Sequence, residues 1–140
     1  MDLNQARAIL IDHARNPRNQ LVGEPNVNHR GECRNPLCGD FVRVFVTLKE
    51  ARIAQCALQV QGCTICTASA SIMSEQVMNL LESDAHDLRQ SFTDILVTSE
   101  EQAWPIELAG FRAFSHLRVN PARIPCALIP WYALKEALQQ

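Results

Sequence analysis

The chain has 140 residues, of which 47% are hydrophobic, and its formal net charge is −2 at pH 7. This length predicts a single domain over residues 1–140, with enough apolar side chains to bury a core. The nearly balanced charge gives no indication of a nucleic-acid or membrane-surface partner, and no apolar run approaches the roughly 18 residues of a membrane span.

Residues 2–15 are predicted to form a helix, because apolar residues recur there at helical spacing and Asp2 or Asn4 can cap its start. A loop follows over residues 16–28, which are rich in proline and asparagine. A strand is predicted over residues 28–34.

Residues 41–62 are predicted to form a β-hairpin, since apolar and polar residues alternate along both halves of the segment. One face of the hairpin should therefore be buried. The residues expected on that face are Val42, Val44, Val46 and Leu48 in the first strand and Ala54, Cys56, Leu58 and Val60 in the second.

Helices dominate the second half of the chain. Residues 67–83 and 84–97 are predicted to be helical, and a short helix over 106–113 is expected to lead into a loop. A last helix should run from about Ala127 to Leu138, with Pro130 in its first turn, where a missing N–H costs no internal hydrogen bond. This order predicts an α+β fold, in which helices pack on one face of a small antiparallel three-stranded sheet.

Six cysteines lie in a chain whose N-terminal stretch mixes charged and apolar residues, unlike a secretory signal. We therefore expect a cytoplasmic protein whose cysteines are thiols or metal ligands rather than disulfides. Cys56 is expected to be a buried, inert thiol, and Cys33 a structural one.

Three other cysteines lie where thiols are exposed or activated. Cys38 is in a predicted loop with Asp40, which on its own is typical of a solvated or turn-capping carboxylate. Cys63 and Cys126 both lie at predicted helix starts, where the helix dipole should stabilise a thiolate and lower its pKa. Cys66 forms a C-x-x-C pair with Cys63, a spacing that suits zinc or a redox pair. None of the four histidines is assigned to a site.

Taken together, the segments "NPLCGD", "GCTICTASASIMSE" and "ARIPCALIPWYAL" resemble the NifU/IscU-type iron–sulfur cluster scaffold family, and the match covers nearly the whole chain. The long interval between Cys63 and Cys126 is similar to that of the SufU-like branch. Two residues depart from the family pattern. Pro125 stands where IscU-type members have a histidine, and Cys66 stands where SufU-like members usually have a serine.

The resemblance implies a SufE/IscU-like fold and a site formed by Cys38, Asp40, Cys63 and Cys126, which would hold zinc or a nascent iron–sulfur cluster. It also implies a SufS-like cysteine desulfurase as the sulfur donor, with iron–sulfur apoproteins or carrier proteins as recipients. We do not expect Cys66 to replace Asp40 as a ligand.

Three thiolates and one carboxylate suit zinc or a small iron–sulfur cluster. Because a carboxylate is a harder and weaker ligand for soft metals, the ligand position of Asp40 should exchange more easily than the others. Cys126 is the predicted persulfide acceptor. Arg123 either stabilises the resulting anion or is simply solvated.

Several functions remain open at this point. The chain is expected to be a scaffold or a sulfur acceptor rather than a free-standing enzyme. The alternatives are a zinc-dependent sulfurtransferase without scaffold activity, a thiol–disulfide oxidoreductase that uses Cys63 and Cys66, and a zinc-stabilised interaction module.

Overall fold

The chain folds into one helix, a three-stranded antiparallel sheet and then further helices, as predicted. A computed structural model describes residues 2–36, 39–98 and 106–139. The elements are α1 (Leu3–Arg15), β1 (His29–Arg34), β2 (Phe41–Lys49), β3 (Arg52–Gln61), α2 (Thr64–Gln76), α3 (Glu82–Val97) and α4 (Ile124–Leu138), with 3-10 segments at Ile106–Val119 and Pro121–Arg123.

The sheet has the order β1-β2-β3. In the central strand, Val42, Val44 and Val46 are buried as predicted, and they lie on the inner face of the sheet, where helices α4 and α2 pack. The last row at one end of the sheet pairs Phe41 with Arg34 on β1 and with Gln61 on β3. The capping box at Asp2 confirms the predicted start of α1.

The alternation predicted for β3 is wrong at its beginning. Thr47 pairs with Gln55 and Leu48 pairs with Ile53, so Ala54 is an extra residue opposite this step. A bulge of this kind reverses the alternation, because two residues of one strand oppose one residue of the other. Ile53 is therefore buried and Ala54 is exposed, whereas Cys56 lies inward as predicted.

Helix α2 differs from the predicted segment 67–83, since it begins at Thr64 and ends at Gln76. It also lacks a single apolar stripe. Eight of its residues are buried, serines included, because the helix packs against α1, α4 and β3.

The loop predicted after residue 113 is also wrong, because the 3-10 segment continues to Val119. Phe111, Phe114 and Leu117 are buried along it at a spacing of three, which places them on one face at three residues per turn. Helix α4 begins at Ile124, so Pro130 lies inside the helix rather than in its first turn. A proline there cannot donate to the carbonyl of Cys126, four residues earlier.

Among the residues described, no helix combines the length and apolar character needed to cross a bilayer.

Gly31 lies where β1 contacts α4. A β-carbon at this position would collide with the main-chain atoms of Ala133 and Ala137 on the helix. Because backbone atoms in a packed helix cannot give way easily, only glycine lets the strand and helix approach so closely.

Gly31→Ala should therefore destabilise the protein by about 1–3 kcal/mol, the usual range for overpacking. Chemical denaturation measures the change. Gly110→Ala is the matched control, because its added methyl would meet only the flexible end of the Gln76 side chain. Equal costs for the two variants would contradict the packing argument.

His13 connects α1 to α2. Its Nδ1 lies 2.7 Å from the Ser71 hydroxyl, and its Nε2 lies 3.8 Å from a Glu75 oxygen. Burial and then the nearby Arg18 charge lower its pKa from 6.5, although Glu75 and Asp12 oppose the shift. The folded state therefore prefers the neutral imidazole.

Because the unfolded chain takes up the His13 proton more readily, the free energy of unfolding should fall as the pH drops below about 6.5. Denaturation curves between pH 8 and pH 5 test this for the wild type and for His13→Gln. The wild type should lose more stability over this range than the variant. Parallel pH profiles would show that His13 does not contribute.

Candidate metal site

Asp40 lies at the end of the loop that joins β1 to β2. The backbone N–H of Asn35 donates to the Asp40 carbonyl at 2.8 Å, which closes this loop. The carboxylate is almost completely buried, and its Oδ1 accepts the backbone N–H of Cys63 at 3.0 Å. Asp40 is thus not a solvated carboxylate, because it is held against the start of α2.

Cys63 is the N-cap of α2, as the sequence predicted. Its Sγ accepts the backbone N–H of Cys66 at 3.5 Å and lies 3.7 Å from Oδ2 of Asp40. The N-cap position directs a side chain towards unpaired helix N–H groups, which favour negative charge. The thiol is half-buried and therefore partly accessible.

Cys126 is the third residue of α4 and is only 3% exposed. Its helix is joined to α2 by the buried Ser69, whose hydroxyl donates to the carbonyl of Ala127 at 2.6 Å. This bond fixes the start of α4 against the middle of α2. The sequence argument missed Ser69, although a serine among small residues in an otherwise apolar helix was the available signal.

Three donor atoms from these distant segments meet. An oxygen of Asp40 and the sulfurs of Cys63 and Cys126 all lie within 4.8 Å of one another. Ligands on a tetrahedral zinc ion are about 3.8 Å apart for zinc–sulfur bonds of ~2.3 Å, so small side-chain movements would suffice to hold a metal. The fourth predicted ligand, Cys38, lies outside the described residues.

The sequence predicted a low pKa for Cys126, but the surrounding groups of the protein raise this pKa instead. Burial, then the charge and hydrogen bond of Cys63, and also Asp40, raise the pKa of Cys126 to about 12, and Arg123 only partly opposes them. The helix start is thus outweighed by desolvation and by two acidic neighbours. A bound cation reverses this preference, because metal ligands must be deprotonated.

Arg123 lies at the entrance to this group. Its guanidinium is exposed, and hydrogen bonding to Cys126 followed by the charges of Cys63 and Cys126 raises the pKa of Arg123. The stabilisation of an anion by Arg123 stays a prediction.

The other cysteines that the structure describes are Cys66, Cys56 and Cys33. Cys66 is fully buried and is not a member of the group. A β-carbon at Gly62 would lie 3.0 Å from both the Cys66 sulfur and Oδ1 of Asp40, so this glycine makes room for both side chains. Cys56 is buried as predicted, and burial raises its pKa to about 12. Cys33 is half-buried against the core.

The chain is similar to known proteins over nearly its whole length. Residues 5–140 match the protein family described as NifU-like N terminal domain. The chain is 33% identical over 135 residues to the iron-sulfur cluster assembly scaffold protein IscU of Streptococcus pyogenes serotype M1. The match covers 95% of this chain and 82% of that protein.

Two further similarities extend over most of the chain. The zinc-dependent sulfurtransferase SufU of Bacillus subtilis strain 168 is 30% identical over 132 residues, which is 94% of this chain and 88% of that protein. A crystal structure of a hypothetical protein has a TM-score of 0.87 and 29% identity, and the match covers 98% of both chains. The chain therefore belongs to the NifU/IscU-type family, whose shared unit is the NifU-like N terminal domain.

Proposed function

We propose that this protein is an iron–sulfur cluster assembly scaffold that receives sulfur from a cysteine desulfurase. The observation that carries the proposal is the meeting of one carboxylate oxygen and two sulfurs within 4.8 Å. The IscU and SufU relatives match over more than nine-tenths of the chain and support it.

The donor set is suited to both zinc and a growing cluster. Sulfur donors bind soft metals tightly, whereas the Asp40 carboxylate is harder and exchanges more easily. We assign Cys38 as the further sulfur donor, on the basis of the motif that it shares with Asp40. A bound zinc ion would keep the thiols deprotonated.

The chain's own residues suit a sulfur-transfer step. The Cys126 thiolate attacks the outer sulfur of a persulfide on the desulfurase, so that a new S–S bond forms at Cys126 and the desulfurase cysteine leaves as a thiolate. The exposed guanidinium of Arg123 lies beside the sulfur that becomes the persulfide and can stabilise its negative charge. We propose a SufS-like desulfurase as the donor, iron–sulfur apoproteins as recipients and the cytoplasm as the location.

A second candidate function is that of a sulfurtransferase, which accepts sulfur but does not assemble a cluster. The SufU relative is named a zinc-dependent sulfurtransferase, and the contact of Arg123 with both thiols suits sulfur acceptance whether or not a cluster follows. Anaerobic purification with measurement of zinc, iron and acid-labile sulfide separates the two functions. A protein that holds zinc, accelerates the desulfurase and never acquires acid-labile sulfide is a sulfurtransferase and not a scaffold.

Cys126→Ser should reduce stimulation of a cysteine desulfurase by at least about tenfold, because no thiol remains at that position to accept sulfur. Sulfide release with free cysteine as the substrate measures the effect. Cys33→Ser, which removes a thiol outside the donor group, should stimulate like the wild type. Full stimulation by Cys126→Ser would exclude Cys126 as the acceptor. If the activity of the protein depends on Cys66 and not on Cys126, the oxidoreductase alternative is favoured.

Asp40→Cys should slow the release of bound metal to a chelator by at least about fivefold, because an additional thiolate replaces the weakest ligand. The release rate is measured with a coloured zinc chelator. Asp40→Asn keeps the size of the side chain and removes its charge, so it should release metal faster than the wild type. If both variants release metal at the wild-type rate, Asp40 is not a ligand.

A further inference from the structure

The outer face of the sheet carries arginines stacked on aromatic rings. Arg34 lies over the Phe41 ring with its guanidinium carbon 4.4 Å from the ring centroid, and Arg43 lies at 5.2 Å from the same centroid. Further along the sheet, Arg30 lies over Phe45 at 5.7 Å. Such stacking holds the guanidinium groups in place before any partner binds, which lowers the entropy cost of binding.

This outer face is positively charged in a protein of net charge −2. Strand β1 directs Arg30 and Arg34 outward, and strand β2 directs Arg43 outward. Glu32 is the one carboxylate that the three strands place on the same face. Glu32 is paired with Arg43 at 3.2 Å. Positive charge is therefore in excess on this face, which attracts an acidic partner.

The two ends of this face differ. Near Arg30, the loop residues Gly23, Glu24 and Pro25 line one cavity together with Arg30, Arg43 and Phe45, so chain segments and a carboxylate lie beside this end, although Arg30 is itself exposed. At the other end, Arg34 and Gln61 are exposed and Phe41 is half-buried.

The exposed end adjoins the metal site. Phe41 directly follows Asp40 in the chain, and Gln61 precedes Cys63 by two residues, so the row Arg34–Phe41–Gln61 closes the same end of the sheet. Beside Phe41, a cavity of about 430 Å³ is lined by Gln59, Gln61 and Thr67. These amide and hydroxyl groups can hydrogen-bond to a peptide backbone.

We propose that the row Arg34–Phe41–Gln61 docks an acidic stretch of the protein that delivers sulfur to the site. This inference rests on the proposed function, which supplies the identity of the partner. An acidic side chain of the partner pairs with the stacked guanidinium group of Arg34, and the partner's main chain lies along the neutral cavity. The docked segment then places the donor's persulfide at the adjacent Cys63 and Cys126.

The test compares Arg34→Glu with Arg30→Glu in the full-length, zinc-loaded protein. Both variants reverse the charge of an arginine stacked on a phenylalanine of the same face, but only Arg34 lies beside the site. Isothermal titration calorimetry with a SufS-type cysteine desulfurase gives the dissociation constant, and sulfide release gives the half-maximal and maximal stimulation. Arg34→Gln provides a milder change, and zinc content and circular dichroism confirm that each variant is folded.

Arg34→Glu should raise the dissociation constant and the half-maximal concentration by about tenfold, with an unchanged maximal rate, whereas Arg30→Glu should change them by less than about twofold. Added salt should weaken binding of the wild type more than that of Arg34→Glu. Equal effects of the two variants would overturn the proposal, as would a wild type that does not bind the desulfurase.

The remaining outcomes separate this docking surface from the proposed function. A wild type that binds the desulfurase through Arg34 without accelerating sulfide release would contradict sulfur acceptance and leave the docking surface standing. If Arg34→Glu binds the desulfurase normally but transfers clusters poorly to an apoprotein, the surface serves the recipient, and the assignment to the sulfur donor is wrong.

Discussion

The hydrogen bond from the backbone N–H of Cys63 to the Asp40 carboxylate is the interaction on which the site depends. It joins the loop before β2 to the first turn of α2, two segments that the pairing of Phe41 with Gln61 has already brought together. A buried carboxylate needs such a donor, because an unpaired charge away from water is strongly destabilising. The same bond therefore keeps Asp40 in the core and points it towards the sulfur of Cys63.

The third donor is placed by a separate contact between helices. Ser69 binds the Ala127 carbonyl directly after Cys126, so the start of α4 is positioned against α2 and not against the sheet end alone. Pro130 leaves the neighbouring Cys126 carbonyl without a helical donor, which makes this turn of α4 depend more on packing. The site is thus assembled from three segments, and two separate hydrogen bonds hold the first and the third against α2.

The structural features that could be predicted from the sequence are those that depend on short-range patterns. The alternation in β2, the cap at Asp2 and the placement of Cys63 and Cys126 near helix starts follow from local spacing and are confirmed. Long-range effects were missed. The bulge opposite Thr47 depends on the pairing of two strands, and the high pKa of Cys126 depends on burial beside Cys63 and Asp40. The Ser69 contact likewise exists only after two distant helices have packed.

Zinc-edge X-ray absorption on the zinc-loaded protein tests the central claim most directly, because it counts the sulfur and oxygen atoms bound to the metal. We expect three sulfurs at about 2.3 Å and one oxygen at about 2.0–2.2 Å, supplied by Cys38, Cys63, Cys126 and Asp40. A shell of four sulfurs would mean that Cys66 has displaced Asp40. A shell with fewer than two sulfurs would contradict a metal site at the meeting point of these segments.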